Sequence, residues 1–243
     1  MASGRSSCPK PRNSPPSLSP RGTLFVVATP IGNLEDITLR ALRALKEAAV
    51  IACEDTRRTR ALLAHFDIHT PTLSYYEHNK LARGPQLLRM LADGRSVALV
   101  TDAGTPGISD PGFRLVREAR AGGIPVVPVP GPSALVAALS AAGIPADRFV
   151  FDGFPPVKPG RRLARLEALR GLATTVVLYE SPHRIVATLE AIGEVFGDVE
   201  LVVARELTKR FEEVVHATPA AHLARLRAHG VKGEFVLVIP RGD

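Results

Sequence analysis

The chain has 243 residues, 45% of them hydrophobic and 23% charged, with a mean hydropathy of +0.09; this balance suits one large or two ordinary folded domains and excludes a wholly disordered chain. No apolar run approaches the roughly 18 to 20 residues that cross a bilayer, so no membrane is expected as a partner. The formal net charge of +7 points to a polyanionic partner, but four of the 31 Lys and Arg lie in the first 21 residues, which leaves 27 against 24 acids in a mildly basic body.

Residues 1–22 contain no acid, are rich in Ser, Pro and Arg and have no apolar stretch, which predicts a basic disordered tail rather than a secretory signal. Only Cys8 and Cys53 occur, too few for a disulfide framework or a Cys-rich zinc site, so a reducing cytoplasm is expected. Beyond the tail, β-branched runs predict strands over Thr23 to Thr29, Val50 to Cys53, Ser96 to Asp102 and Pro125 to Pro130. Between them, Leu39, Leu42 and Leu45, then Leu81, Leu87, Leu88 and Leu91, then Phe113, Leu115 and Val116 repeat with helical spacing. Strand alternating with helix is the pattern of a doubly wound parallel sheet. His65 and His69 have the spacing of two ligands on a helix face, yet a Thr-Pro break follows at once, so they are expected to be solvated helix-end residues and no metal is expected.

Pro128 to Pro132 ends the last of these strands, and Ser133 can begin a helix over Ala134 to Ala142. Further strands are predicted at Arg148 to Phe151, Thr174 to Tyr179, Leu201 to Arg205, Glu213 to Ala217 and Phe235 to Ile239, with the Leu201 and Glu213 runs forming an antiparallel hairpin. The expected organisation is therefore α/β throughout: an N-terminal domain over 23–130, and a C-terminal domain with a mixed sheet and helices over 131–243. A cleft between the two is the default ligand site.

The run from Val97 to Gly112 places a Gly- and Pro-rich loop directly after a buried strand, where ligands of open α/β sheets bind. Gly104 and Gly107 would let backbone approach a small molecule closely, and Asp102 could accept hydrogen bonds from an amine or from ribose hydroxyls. The same residues also suit a turn that caps the next helix at Asp110 and Pro111. Their spacing matches neither the dinucleotide fingerprint nor the phosphate-cradling loop.

Thr101-Asp-Ala-Gly-Thr-Pro-Gly-Ile-Ser-Asp-Pro-Gly112 closely resembles the signature of the ribosomal RNA small subunit methyltransferase I family, within the tetrapyrrole methylases. Six further blocks match in order: Ala28-Thr-Pro-Ile-Gly-Asn33, Glu54-Asp-Thr-Arg57, Pro130-Gly-Pro-Ser-Ala134, Tyr179-Glu-Ser-Pro-His-Arg184, Arg205-Glu-Leu-Thr-Lys209 and Lys232-Gly-Glu-Phe235. The resemblance covers Leu24 to Ile239 and leaves out the tail, which the family pattern lacks. It implies a two-domain α/β tetrapyrrole-methylase fold, S-adenosylmethionine in the interdomain cleft, a homodimer, and methyl transfer to the 2'-oxygen of a cytidine in the decoding region of 16S ribosomal RNA within the small subunit. It also implies cofactor contacts from Pro30, Asp102, Ala103, Gly104, Thr105, Ile108, Ser133, Ala134 and Tyr179.

For the chemistry, a ribose hydroxyl must lose its proton as it attacks, and Glu180, next to Tyr179 after a strand, is the expected base. His183 and Arg184 are expected to orient it or to hold an RNA phosphate; the alternative is that Glu180 accepts hydrogen bonds structurally, which would turn attention to Glu54, Asp55 and Glu206. Arg57, Arg58, Arg161, Arg162 and Lys209 are the candidate RNA contacts. For Arg57 and Arg58 the plain alternative is a surface ion-pair cluster with Glu54 and Asp55, and for Arg161, Arg162, Arg165 and Arg170 a solvated helix face. Two other functions compete, a small-molecule C-methyltransferase of the same superfamily and a noncatalytic RNA-binding assembly factor. The motif set argues against the first, and the Asp102 loop against the second.

Overall fold

The computed structural model describes residues 22–110 and 112–241, apart from the side chain of His229. Five strands form the first sheet: β1 Leu24–Val27, β2 Val50–Cys53, β3 Thr72–Ser74, β4 Val97–Leu99 and β5 Val126–Val129, in the order β3-β2-β4-β1-β5. Every pairing in it is parallel. Parallel sheets are covered on both faces, and the fully buried runs Val-Ile-Ala-Cys of β2 and Val-Ala-Leu of β4 reflect that.

The period-2 alternation of a strand divides the core into two layers. Ile51 and Cys53 join Ala41, Leu45 and Leu63 of helices α1 (Leu39–Glu47) and α2 (Thr56–His65) on one face. Val50 and Ala52 join Leu87, Leu91, Leu115 and Ala119 of α3 (Lys80–Ala92) and α4 (Phe113–Ala121) on the other. Thr38 starts α1 by accepting from Ala41 N at 3.1 Å, and Asp55 starts α2 by accepting from Arg57 N at 2.8 Å. The sheet is doubly wound, as the sequence predicts.

Residues 130–133 lead into α5 (Ala134–Ala141) and then into a second sheet. It contains β6 Phe149–Phe151, β7 Thr175–Glu180, β8 Leu201–Arg205, β9 Glu213–Ala217 and β10 Phe235–Ile239, in the order β6-β7-β10-β8-β9. Only β6 and β7 are parallel; the β8–β9 pair is the expected antiparallel hairpin. Helices α6 (Pro159–Arg170), α7 (Ile185–Phe196) and α8 (Pro219–His229) cover one face, with Leu166, Leu189 and Ile192 packed on Val176, Leu178 and Leu237. Ala138 and Leu139 of α5 cover the other, packed on Val177, Val236 and Val238.

The structure adds β3, a three-residue, half-buried strand that the sequence reading left unassigned. After β7, residues 182–184 form a turn, and α7 begins at Ile185. Gly22 is ordered, donating its N–H to Leu91 O at 2.9 Å. The rest of the expected tail lies outside the described residues.

The loop after β1 is seated on the second half of the chain. A Cβ at Gly32 would lie 2.3 Å from Lys209 Cγ and 3.0 Å from Leu207 O. Lys209 cannot swing away freely, because its Nζ bridges Glu206 at 2.8 Å and Glu234 at 3.0 Å. Gly32→Ala is therefore expected to destabilise the fold by about 2 kcal/mol through overpacking, read as a lower melting temperature. An unchanged melting temperature would show that this contact yields easily.

Candidate active site

In sheets of this kind, ligands bind beyond the carboxyl ends of the strands where the strand order reverses. Here that point lies between β1 and β4, and the loop following each strand meets the other. Thr29 N donates to Gly104 O at 2.9 Å and Gly104 N donates to Thr29 O at 3.0 Å, a two-residue antiparallel bridge outside the main ladder. Gly104 has φ +84, which an L side chain rarely adopts, and this lets the loop turn back over β1. Asp110 fixes the far end of the loop by accepting from Gly107 N at 2.7 Å and Gly112 N at 2.6 Å. It thereby holds the loop from within rather than starting a helix, and α4 begins only at Phe113. Thr105 Oγ1 donates to Pro132 O at 3.2 Å and ties the loop to the crossing into the second half.

The loop forms one wall of a cleft of about 1190 Å3, open mouth included, whose other wall comes from the second sheet. Asp102, Ala103, Gly104, Thr105, Ile108, Ser133, Ala134 and Tyr179 all line it. Pro30 does not; it lies in an adjoining depression with Leu34, Arg58 and Asp102, and its neighbour Ile31 takes the cleft position. Asp102 is anchored on one side, with Oδ1 accepting from Asp55 N at 3.0 Å and Oδ2 3.3 Å from Arg58 Nη1. The Tyr179 hydroxyl accepts from Leu135 N at 3.1 Å at the start of α5, and its ring meets Phe151 and Phe154 edge-on at 4.7 and 5.8 Å. Burial pushes its phenol above the usual value.

Glu180, the expected base, lines the cleft beside Tyr179, but its side chain turns inward. Only 2% of the residue is exposed, and its carboxylate is engaged from within: Oε1 accepts from Ser181 N at 2.8 Å, while Oε2 accepts from Thr188 Oγ1 at 2.7 Å and Arg184 Nη2 at 3.3 Å. Arg184 also donates to Pro155 O. His183 is exposed, and neither it nor Arg184 lines the cleft.

Another carboxylate faces the cleft. Glu54, at the end of β2, is half-buried and accepts from Thr101 Oγ1 at 3.1 Å. Burial is the main reason that its carboxyl is held above the usual range, and the nearby Asp110 and Asp102 raise it further. The Glu-Asp-Thr-Arg block signalled this residue, but nothing in that block says that its first acid alone turns into the cleft. Phe154 and the Glu234 to Val236 wall also contribute, the latter from the Lys-Gly-Glu-Phe block.

The candidate RNA contacts are dispersed. Arg57 is exposed and pairs with Asp55 at 2.8 Å, while Arg58 stands at the cleft. Lys209 is held between its two glutamates and is not a free surface cation. The expected arginine face of α6 divides: Arg161 is exposed, Arg165 pairs with Asp152, Arg170 donates to Val195 O, and Arg162 is buried at 7% exposure.

Comparison with known proteins agrees with this architecture. The sequence profile of the tetrapyrrole (corrin/porphyrin) methylases matches residues 23–224. Ribosomal RNA small subunit methyltransferase I of Pseudomonas aeruginosa is 54% identical over 203 residues, 83% of this chain and 72% of that protein. The protein of the same name from Escherichia coli O157:H7 is 47% identical, over 90% of this chain and 78% of its own length. Cobalt precorrin-4 methyltransferase superposes with a TM-score of 0.70 at 20% identity, over 92% of this chain and 98% of its own. Uroporphyrin-III C-methyltransferase of Thermus thermophilus, solved with S-adenosyl homocysteine, gives 0.61 at 21% identity over 89% and 97%; both structures share the fold. The chain belongs to the tetrapyrrole (corrin/porphyrin) methylase family and, within it, to the ribosomal RNA small subunit methyltransferase I group.

Proposed function

We propose that this methyltransferase transfers a methyl group from S-adenosylmethionine to the 2'-hydroxyl of a cytidine ribose in the decoding region of 16S ribosomal RNA, in the cytoplasm and as a homodimer. The observation that carries this reading is the 54% identity to a relative whose name specifies small-subunit ribosomal RNA. No helix among the described residues is long and apolar enough to cross a membrane.

The residues present fit the cofactor. At Gly104 backbone faces the cleft with no side chain, and a Cβ built there would meet only Ile31 at 3.5 Å and Pro132 O at 3.8 Å, so the space belongs to the cleft. Asp102, Gly104, Thr105, Ser133, Ala134 and Tyr179 would hold the cofactor, which supplies an electrophilic methyl group on sulfur when bound. Glu54 takes the proton that the ribose hydroxyl gives up, and Thr101 orients its carboxylate. Arg58, whose side chain is 68% exposed at the mouth, provides a positive charge for an incoming phosphate.

Mass spectrometry of ribosomal RNA from cells with and without the gene tests the acceptor: a small-subunit 2'-O-methyl mark is expected to vanish with the gene, and an unchanged pattern would refute it. Asp102→Ala is expected to weaken S-adenosylmethionine binding at least tenfold by calorimetry, the scale of a lost hydrogen bond to a charged group, while the chain stays folded. Wild-type affinity in that variant would move the cofactor away from this loop.

A further inference from the structure

The N-terminus of α6 carries more positive charge than the protein itself neutralises. Lys158 and Arg161 are exposed there, no acid stands in the first turn, and no side chain caps it. Helix N-termini with open N–H groups and a favourable dipole attract anions, and a Cβ built on Gly160 meets nothing within 4 Å, so the backbone is accessible.

A second observation is independent of the helix end. Arg162 is more than nine-tenths buried, its Nε has no hydrogen-bond partner, and it pairs with no carboxylate among the described residues. Side chains on a helix lean toward its N-terminus, and Arg162 does so: Nη1 reaches back to Val157 O at 3.4 Å, which places the guanidinium over the residues that enter the helix. A buried cation without a counter-charge is costly unless an anion arrives.

We propose that the first turn of α6 is a binding site for an RNA backbone phosphate, formed by the N–H groups of Gly160 and Arg161 with the cations of Lys158, Arg161 and Arg162. The segment that enters α6 begins at Phe154, which lines the cleft proposed for methyl transfer, and so links this turn to that cleft along the chain. The inference rests on RNA being the substrate, as proposed above.

The test is fluorescence anisotropy with a labelled oligocytidylate of about 20 nucleotides, from about 50 to about 200 mM potassium chloride. Lys158→Ala/Arg161→Ala changes only exposed side chains and is expected to weaken binding about tenfold and to flatten the salt slope by about 1.4, the share of two single-strand phosphate contacts. Arg162→Gln should weaken binding in the same direction, with its melting temperature checked. Arg225→Ala/Arg227→Ala on the exposed side of α8 should leave binding unchanged. Unaltered affinity and slope in Lys158→Ala/Arg161→Ala would overturn the site. That result is distinct from failure of the functional reading, which would appear as wild-type protein that leaves ribosomal RNA unmethylated.

Discussion

Glu54→Gln is expected to lower single-turnover methyl transfer to small-subunit ribosomal RNA about a hundredfold or more, the usual scale of a lost base, with cofactor affinity within about twofold of wild type. The carboxylate lines the cleft and is oriented by Thr101, and burial together with the charges of Asp110 and Asp102 raises its protonation midpoint above that of an ordinary glutamate. A base must be ionised to act, so the wild-type rate should climb with pH through that raised midpoint, and the glutamine variant should lose this limb. Stability runs the other way. A raised folded-state value means that the contribution of Glu54 to stability is fully present below its unfolded value and is lost as pH rises through the folded one. At neutral pH Glu54→Gln should therefore melt no lower than wild type, separating a chemical defect from a folding defect. A variant that transfers methyl at the wild-type rate would exclude Glu54 and leave Asp110, also raised by burial although its oxygens hold the loop.

The comparison of Glu54 with Glu180 shows where sequence reading reaches its limit. Strands β2, β8 and β10 have the boundaries that the β-branched runs predict, because burial on both faces leaves an apolar signature in the sequence itself. Strand β3 has no such signature, being short, at the edge and half-buried. Glu180 was singled out for its position beside Tyr179, yet successive strand residues point to opposite faces. On β7, Val177 and Tyr179 pack toward α5, whereas Val176 and Leu178 pack toward α7, and Glu180 continues that second row to meet Thr188. The alternation was available in the sequence: both residues line the cleft, but it turns the Glu180 side chain away from that of Tyr179 and toward Thr188. Neither Arg162 nor Lys209 could be read in that way. Whether a cation on a helix or loop is solvated depends on which carbonyls and carboxylates the fold brings to it, and Glu234 reaches Lys209 from 25 residues away.

If Glu180 is a structural carboxylate, its removal should be felt first in the fold. Glu180→Ala leaves Arg184 Nη2, Thr188 Oγ1 and Ser181 N without the acceptor they share, in a place where the glutamate side chain is fully buried and Arg184 is 25% exposed. Breaking one side of a buried charge pair costs about 3 kcal/mol, which for a chain of this size corresponds to a melting temperature lower by about 10 °C. Glu180→Gln keeps an acceptor for one or two of these donors and should lose less than half as much. Glu180→Ala/Arg184→Met removes both charges together and should recover part of the loss, since an apolar pair leaves no charge unanswered. Thermal denaturation of the three variants, paired with single-turnover methyl transfer per folded molecule, decides the role. The structural assignment expects the order of stability just given and transfer within about tenfold of wild type, well short of the loss of a general base. A glutamine variant that melts like wild type but transfers methyl more than about a hundredfold more slowly would return Glu180 to the chemistry and remove the case for Glu54.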